Sequence, residues 1–533
     1  MKVNFPLPLI LEEQKSPLVR QLLDFIDHQA YLIQQQAEQI QQLKDEIARL
    51  KNQPPRPKIQ PSRLEKKRSK KHKSSKSKRA GSAKRHKNAE LKIHEVKPIE
   101  PEYIPPGSFF RYYKDWVVQD IKLEPYNIRF RLKVYETPSG GYVMGKLPAN
   151  LEDRHYGPLL IRFILYQHYH CHVTQPLLLE QLYEMGIDIS AGQLNNILIE
   201  GKDRFHMEKD QILAAGLEVS RYINVDDTGA RHKGKNGYCT HIGNELFSFF
   251  ESTESKSRIN FLKLLRSEHS DYFINMDAIA YMEANKLPQY VLEPIIANLG
   301  NIFTNDGQWN DFLTEKGIVT NRHVQVATEG ALIGSVVEHG ISNKLTIISD
   351  DAGQFNVLVH ALCWVHADRL IGKIIPFTDE QKEDLDTVRD NIWNLYAGLK
   401  QYKKNPRVKT KQRLEAKFDQ IFTMKTSSAI LNQALRRLYN NKSELLLVLE
   451  RPETPLHNNV AENAIREYVK KRKISGGTRS ETGRKCRDTF TSLKKTCRKL
   501  GVSFWEYLKD RIEKIYLIPD LSDLIREQTL KPG

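Results

Sequence analysis

Apolar positions in this chain follow three kinds of spacing. Between residues 18 and 51 they recur at alternating intervals of three and four: Val19, Leu22, Ile26, Gln29, Ile33, Gln36, Ile40, Leu43, Ile47 and Leu50, eight of the ten being apolar. A seam of that period predicts a coiled coil, with Ile33, Ile40, Leu43, Ile47 and Leu50 as its oligomerisation contacts. Gln29 and Gln36 weaken the seam while fixing register or partner number, and Pro54 and Pro55 end the helix. A helix packed on its own domain is the alternative. Farther along, FFRYYKDWVVQDIKLEPYNIRFRLKVYETPSGGYVMG alternates aromatic or branched residues with polar ones and is broken by PSGG, which predicts a small antiparallel β unit. Helical spacing returns in TQPLLLEQLYEMGIDISAGQLNNILIEG (174–201), where two helices flank Gly186 and Ser190 is placed to cap the second. That arrangement fits a helix-turn-helix, which serves either DNA binding or packing.

The third spacing is the unbroken apolar run of a buried strand. RYINVDD, GYCTHIGN and ELFSFFEST predict three strands that pair as a meander, SRINFLKLL a helix, and KLTIIS a further strand before Asp350. Long helical patterns fill roughly 378–450, and another helix opens near Asn458. The order is α/β.

Composition sharpens the borders. The chain has 533 residues, enough for two to four domains, and 40% hydrophobic residues. It has no run of 18 or more apolar residues that would span a membrane, and MKVNFPLPLILEEQK lacks a secretory pattern, so a cytoplasmic protein with no membrane partner is expected. Net charge is +17, but Arg63 to Lys87 alone holds 13 Lys+Arg against one Glu, leaving +5 for the rest. With few apolar groups to bury, residues 54–106 are expected to be a disordered linker. Lys70, Lys71, Arg79, Lys84 and Arg85 in it would attract DNA without sequence preference. Five scattered cysteines with no CxxC pair argue against a disulfide framework or a four-cysteine zinc site. QHYHCH (167–172) and Cys363 with His366 in CWVH are better read as structural than as zinc ligands.

The candidate chemistry lies in three acidic positions. Asp226 and Asp350 each end an apolar strand, and Glu462 lies one turn inside the helix begun by Asn458 and Asn459. Adjacent strand ends are only about 4.8 Å apart, so the three side chains can converge. Uncompensated carboxylates about 4 Å apart repel by roughly 4 kcal/mol per pair at an effective dielectric near 20. A pair of hard divalent cations is the natural neutraliser, suited to in-line phosphoryl displacement. Arg466, Lys470, Lys471, Arg472 and Lys473 would then face phosphate. Adjacency leaves Asp226 or Asp227, and Asp350 or Asp351, open as ligands. Asp277 and Asp306 are rivals for the second position.

These blocks resemble transposases of the Insertion Sequence 66 family. The resemblance is carried by YQHYHCHVTQPLLLEQLYEMGIDIS, INVDDTG, SDDAGQF followed by ALCWVHADR, HNNVAENAIREYVKKRKISGGTRSETG and SLKKTCRKLGVSFWEYL, in that order. It implies a ribonuclease-H-like mixed sheet with helical insertions and a DDE triad of Asp226, Asp350 and Glu462. The triad would hold two Mg2+ or Mn2+ ions, nick DNA at the terminal inverted repeats of the element and join the 3′-hydroxyl to target DNA. It also implies association with the nucleoid and with accessory proteins of the same element. Asn458, Asn459 and Arg466 are expected to cap the helix and contact phosphate. The resemblance implies that many relatives carry a cysteine-rich, zinc-binding segment between coiled coil and catalytic region, whereas residues 52–150 here contain no cysteine, so no zinc is expected.

The expected organisation is a coiled coil at 1–53, linker at 54–106, β unit at 107–150 and helical, helix-turn-helix-like DNA-binding region at 151–218. The catalytic domain follows at 219–475, with insertions at about 267–340 and 370–450, and a helical end at 476–533. A structure-specific nuclease without strand transfer, and a DNA-binding scaffold that has lost its chemistry, are the alternatives.

Overall fold

The computed structural model describes residues 16–18, 92–148, 151, 155–376 and 378–530. The coiled-coil positions Ile33, Ile40, Leu43, Ile47 and Leu50, and the arm residues Lys70, Lys71, Arg79, Lys84 and Arg85, lie outside the described residues.

Strands β1 (Val134–Glu136) and β2 (Tyr142–Met144) form a hairpin closed by a turn over PSGG. The expected β unit is smaller than its alternating pattern suggests, for residues 107–133 carry no strand. The physical reason is a lack of cover. Phe109, Tyr112, Tyr126 and Trp116 are exposed, Trp116 by 87%, and a two-stranded ribbon without a packed face is marginal alone.

The helices Gln175–Glu184 and Ala191–Ile199 bury Leu178, Leu182, Leu194 and Leu198. Between them Gly186 takes φ +76°, which favours glycine. Ser190 caps the second helix, its hydroxyl accepting from the Gln193 amide in a capping box. The long helix Asp203–Val219 then delivers the chain to the central sheet. A Cβ at Gly216 would stand 2.6 Å from the Phe247 ring, so the helix lies against Phe247 only because Gly216 has none.

The sheet holds β3 (Tyr222–Gly229), β4 (Tyr238–Gly243), β5 (Ser248–Thr253), β8 (Thr346–Ser349) and β9 (Val359–Leu362) in the order β5-β4-β3-β8-β9. The first three form the expected antiparallel meander, and β8 and β9 add in parallel. Parallel strands need helical crossovers. The first runs through the helix Arg258–Leu265, a two-residue strand pair β6 (Tyr272–Phe273) and β7 (Ile302–Phe303), and four helices ending with Asn321–Glu338. The apolar residues of this stretch, such as Trp309 and Leu332, join the same core as Ile223 and Ile347 of the sheet. A second helical stretch, Asp379–Lys404, Val408–Phe422 and Ala429–Asn440, closes its own core around Trp364, Ile392 and Phe418.

The C-terminal block covers an edge. Helix Glu481–Lys499 runs along β5, whose outward amides at Ser248, Phe250 and Ser252 donate to Thr496 Oγ1, Ser492 Oγ and Asp488 Oδ2 at 3.1, 2.9 and 2.8 Å. The strand period of two meets the helix period of four, so the edge amides that would otherwise recruit another strand are satisfied. No described helix is long and apolar enough to cross a membrane.

Candidate active site

The backbone brings the two aspartates level. In the parallel pairing of β3 with β8, Tyr222, Ile223 and Asn224 lie opposite Thr346, Ile347 and Ile348. Continuing that register by two residues sets Asp226 beside Asp350. Asp226 is not the last residue of its strand, as its sequence position suggests. β3 runs on to Gly229 through its pairing with β4, and only the pairing with β8 stops before Asp226. β8 ends at Ser349, so β3 runs past the end of its parallel neighbour at this point.

Alternation along β3 separates Asp226 from Asp227. Asp226 shares a face with Asn224, and that face carries the helix Asn459–Ser475. Asn224 Nδ2 donates to Asn458 Oδ1 at 2.9 Å, and Asn458 Nδ2 donates to the Val225 carbonyl at 2.7 Å. The Asn458 amide donates to Cys363 Sγ at 3.2 Å, where β9 gives way to the helix Trp364–Gly372. Asn458 is only 1% exposed. Its expected roles are therefore corrected: its side chain does not cap the helix and cannot reach phosphate, because it is consumed in fastening the helix to the sheet. One turn later Glu462 points toward the same end of the sheet.

Asp227 faces the other way and accepts from Thr240 Oγ1 at 2.6 Å and Gln354 Nε2 at 2.9 Å. Asp351 is exposed and paired with Arg437 of the second helical stretch. Asp350 Oδ1 accepts only from the Ala352 amide, at 3.2 Å, among the described contacts. Of each DD pair, then, one member carries conventional partners and the other faces the site. Asp277 accepts from Asn343, and Asp306 is held by Lys263 and Tyr272, so both rivals are engaged elsewhere.

The electrostatics mark a cation-deficient corner. Burial, then the Asp350 carboxylate, push Asp226 up to about 7, with Asp227 and Glu462 adding to the rise. Burial also raises Asp227, against the hydrogen bonds from Thr240 and Gln354. Glu462 differs, because Arg369 grips it with both terminal nitrogens at 2.9 and 3.1 Å. Arg466 Nη2 stands 3.4 Å and His366 Nε2 3.8 Å from the same carboxylate. Burial lowers the His366 pKa, while Glu462 and Asp350 oppose the fall.

The group that neutralises Glu462 is Arg369, which lies unmarked within ALCWVHADR. No local pattern marks it, since its partner is far along the chain. The expected fringe of phosphate-facing cations is also thinner than it reads. Lys471 is buried, donating to the His168 carbonyl at 2.7 Å. Arg472 is turned to Gly229 O and Thr228 Oγ1. Arg466, Lys470 and Lys473 remain on the exposed side.

The histidines of QHYHCH take separate partners. His168 meets the Val173 carbonyl, His170 stacks on Tyr166, and His172 meets Glu467. Cys363 and His366 likewise face different neighbours.

Among the described residues, no group of three His, Cys, Asp or Glu stands close enough to hold a metal ion as placed. The donor chemistry nevertheless fits a hard divalent cation at the Asp226–Asp350 pair. The carboxylate oxygens are of the right type, and among the described residues no cation offsets the charge of Asp226. Glu462 fits as a third ligand only when it is freed from Arg369.

A family model described as Transposase IS66 family matches residues 341–486, a stretch that includes β8, β9, Arg369 and Glu462. A protein of Sinorhizobium fredii (strain NBRC 101917 / NGR234), described as uncharacterized protein y4jO, is 44% identical over 303 residues. The match covers 56% of this chain and 94% of that relative.

Proposed function

Because the chain belongs to the IS66 transposase family, we propose that Asp226, Asp350 and Glu462 form a DDE site that nicks DNA at the ends of an insertion sequence and transfers the resulting 3′-hydroxyl to target DNA. The observations that carry this reading are the parallel pairing of β3 with β8, which ends two residues before Asp226 and Asp350, the electrostatic contact between those two carboxylates, and the buried Asn458 link that holds the Glu462 helix to the same strand. The sheet order supports a ribonuclease-H-like catalytic domain, with a meander followed by two parallel strands.

Asp226 and Asp350 would hold Mg2+ or Mn2+, and Glu462 would complete the set. Two such ions bound together would activate the attacking water or hydroxyl and stabilise the leaving oxygen of an in-line displacement. The protein supplies alignment: parallel strands fix one pair of carboxylates, and the helix Asn459–Ser475 sets the third. Arg466, Lys470 and Lys473 border the site on its solvent side and position the phosphate backbone. The arm with Lys70, Lys71, Arg79, Lys84 and Arg85 raises the local concentration of DNA by charge alone. The expected heptad contacts Ile33, Ile40, Leu43, Ile47 and Leu50 would assemble copies of the chain into an oligomer. The test is Mg2+-dependent joining of a pre-cut element end to target DNA, which also separates a transposase from a nuclease without strand transfer.

A further inference from the structure

The ion pair between Arg369 and Glu462 is unusual in its placement. Both side chains are largely buried, at 17% and 12% exposure. The guanidinium uses its two terminal nitrogens on the two carboxylate oxygens, a bidentate and charge-assisted arrangement. It therefore occupies the oxygens that a third metal ligand would offer. Beside it, the Nε of Arg369 and the Nδ1 of His366 are buried without a hydrogen-bond partner. Two unanswered polar atoms next to an ion pair are expensive to bury; Arg369 Nε is a donor without an acceptor, while Arg369 Nη1 also meets His366 Nε2 at 3.3 Å. A guanidinium with a spare donor on the carboxylate of Glu462 suits one further occupant, a DNA phosphate, whose oxygens a planar fork recognises.

The geometry points to an exchange of partners. In the free protein Arg369 holds Glu462. When DNA enters, Arg369 passes to a backbone phosphate at the site, and the freed Glu462 joins Asp226 and Asp350 in holding the divalent ion. This rests on the proposed DDE reading and extends it. Arg369 is a phosphate-binding residue that also gates the third ligand. Cation and DNA binding then help each other, because each removes the partner that the other must displace, and linkage makes the effect reciprocal. Arg466, on the solvent side of Glu462, does not replace Arg369, since it is 65% exposed and meets one oxygen at 3.4 Å.

The test measures Mn2+ binding by calorimetry and by water-proton relaxation, on the full chain with and without a short DNA duplex. The proteins are the parent, Arg369→Gln, Arg369→Lys and Glu462→Gln, and a thermal melt confirms that each is folded. An opposite charge close to a carboxylate alters its proton affinity by about ten- to a thousandfold, and the same field acts on a metal ion. Arg369→Gln should therefore bind Mn2+ about tenfold or more tightly without DNA. It should also lose the further tightening that DNA gives the parent. Arg369→Lys, with one donor point in place of a fork, should fall between. If Arg369→Gln binds Mn2+ no better than the parent while Glu462→Gln binds worse, the exchange is wrong and the DDE reading stands. If Glu462→Gln binds as well as the parent with and without DNA, the DDE reading itself fails. Should Arg369→Gln not fold, the Arg369→Lys comparison decides: equal Mn2+ affinity to the parent overturns the exchange.

Discussion

Asn458 and Asn224 share a buried amide hydrogen bond of 2.9 Å that ties the helix carrying Glu462 to the strand carrying Asp226. With the second bond from Asn458 to the Val225 carbonyl, it converts two distant stretches of sequence into one site. Replacing Asn458 by Ala removes both bonds and leaves the Val225 carbonyl and the Asn224 amide buried without those partners. A loss of about 1–3 kcal/mol is expected for each unsatisfied group. Joining activity should fall at temperatures where the fold persists, while DNA affinity changes little. Thermal unfolding, with an anisotropy titration of DNA, measures both. A variant with parental stability would show that these bonds do not hold the helix.

The two aspartates at the end of the apolar run in β3 should behave differently. Asp226→Asn should abolish Mn2+ binding, because this carboxylate faces the site. Asp227→Asn should keep it, because Asp227 is turned to Thr240 and Gln354 and supplies local structure. The expected cost of Asp227→Asn is about 1 kcal/mol of stability. Calorimetric titration with Mn2+ distinguishes them, and the opposite ranking would move the ligand by one residue.

The pH response of the metal-free protein follows from Asp226. Its folded pKa is raised from 3.8 to about 7. Between those values the folded protein keeps a proton that the unfolded chain has released. Stability from this group is thus fully present below the lower value and is lost as pH rises through the upper one. In chelator, Asp226→Asn should gain thermal stability relative to the parent between about pH 5 and about pH 8. A difference that stays constant over that range would mean that Asp226 ionises normally.

Much of this architecture was legible in the sequence, for identifiable reasons. INVDD and LTIISD are largely apolar runs ending in acid, and a buried strand whose end reaches a polar site produces that pattern. The Ser190 cap was legible because capping is a local interaction. β9 was not, since VHAL is four residues long and is stabilised by its pairing with β8. Arg369 was invisible as a partner of Glu462 because only the folded chain brings them together. The stretch 107–133 misled because its alternation specifies a face without specifying what covers it. The choice between Asp226 and Asp227 needed the Asn224–Asn458 bond, which no spacing encodes.

The basic arm makes a separate prediction, testable without the site. Deleting residues 63–87 should flatten the salt dependence of DNA binding, since each phosphate contact contributes about −0.9 to the log-log slope. Fluorescence anisotropy over a salt series gives the slope directly. An unchanged slope would show that the arm does not touch DNA.

The central claim is that three acidic side chains act together on a DNA strand, and a joining assay tests it most directly. The substrate is a duplex with a pre-cut element end and a free 3′-hydroxyl, supplied with target DNA and Mg2+. The parent should produce joined product. Asp226→Asn, Asp350→Asn and Glu462→Gln should each lose about a thousandfold or more in rate while still binding the duplex. Joined product from Glu462→Gln at the parental rate would contradict the account.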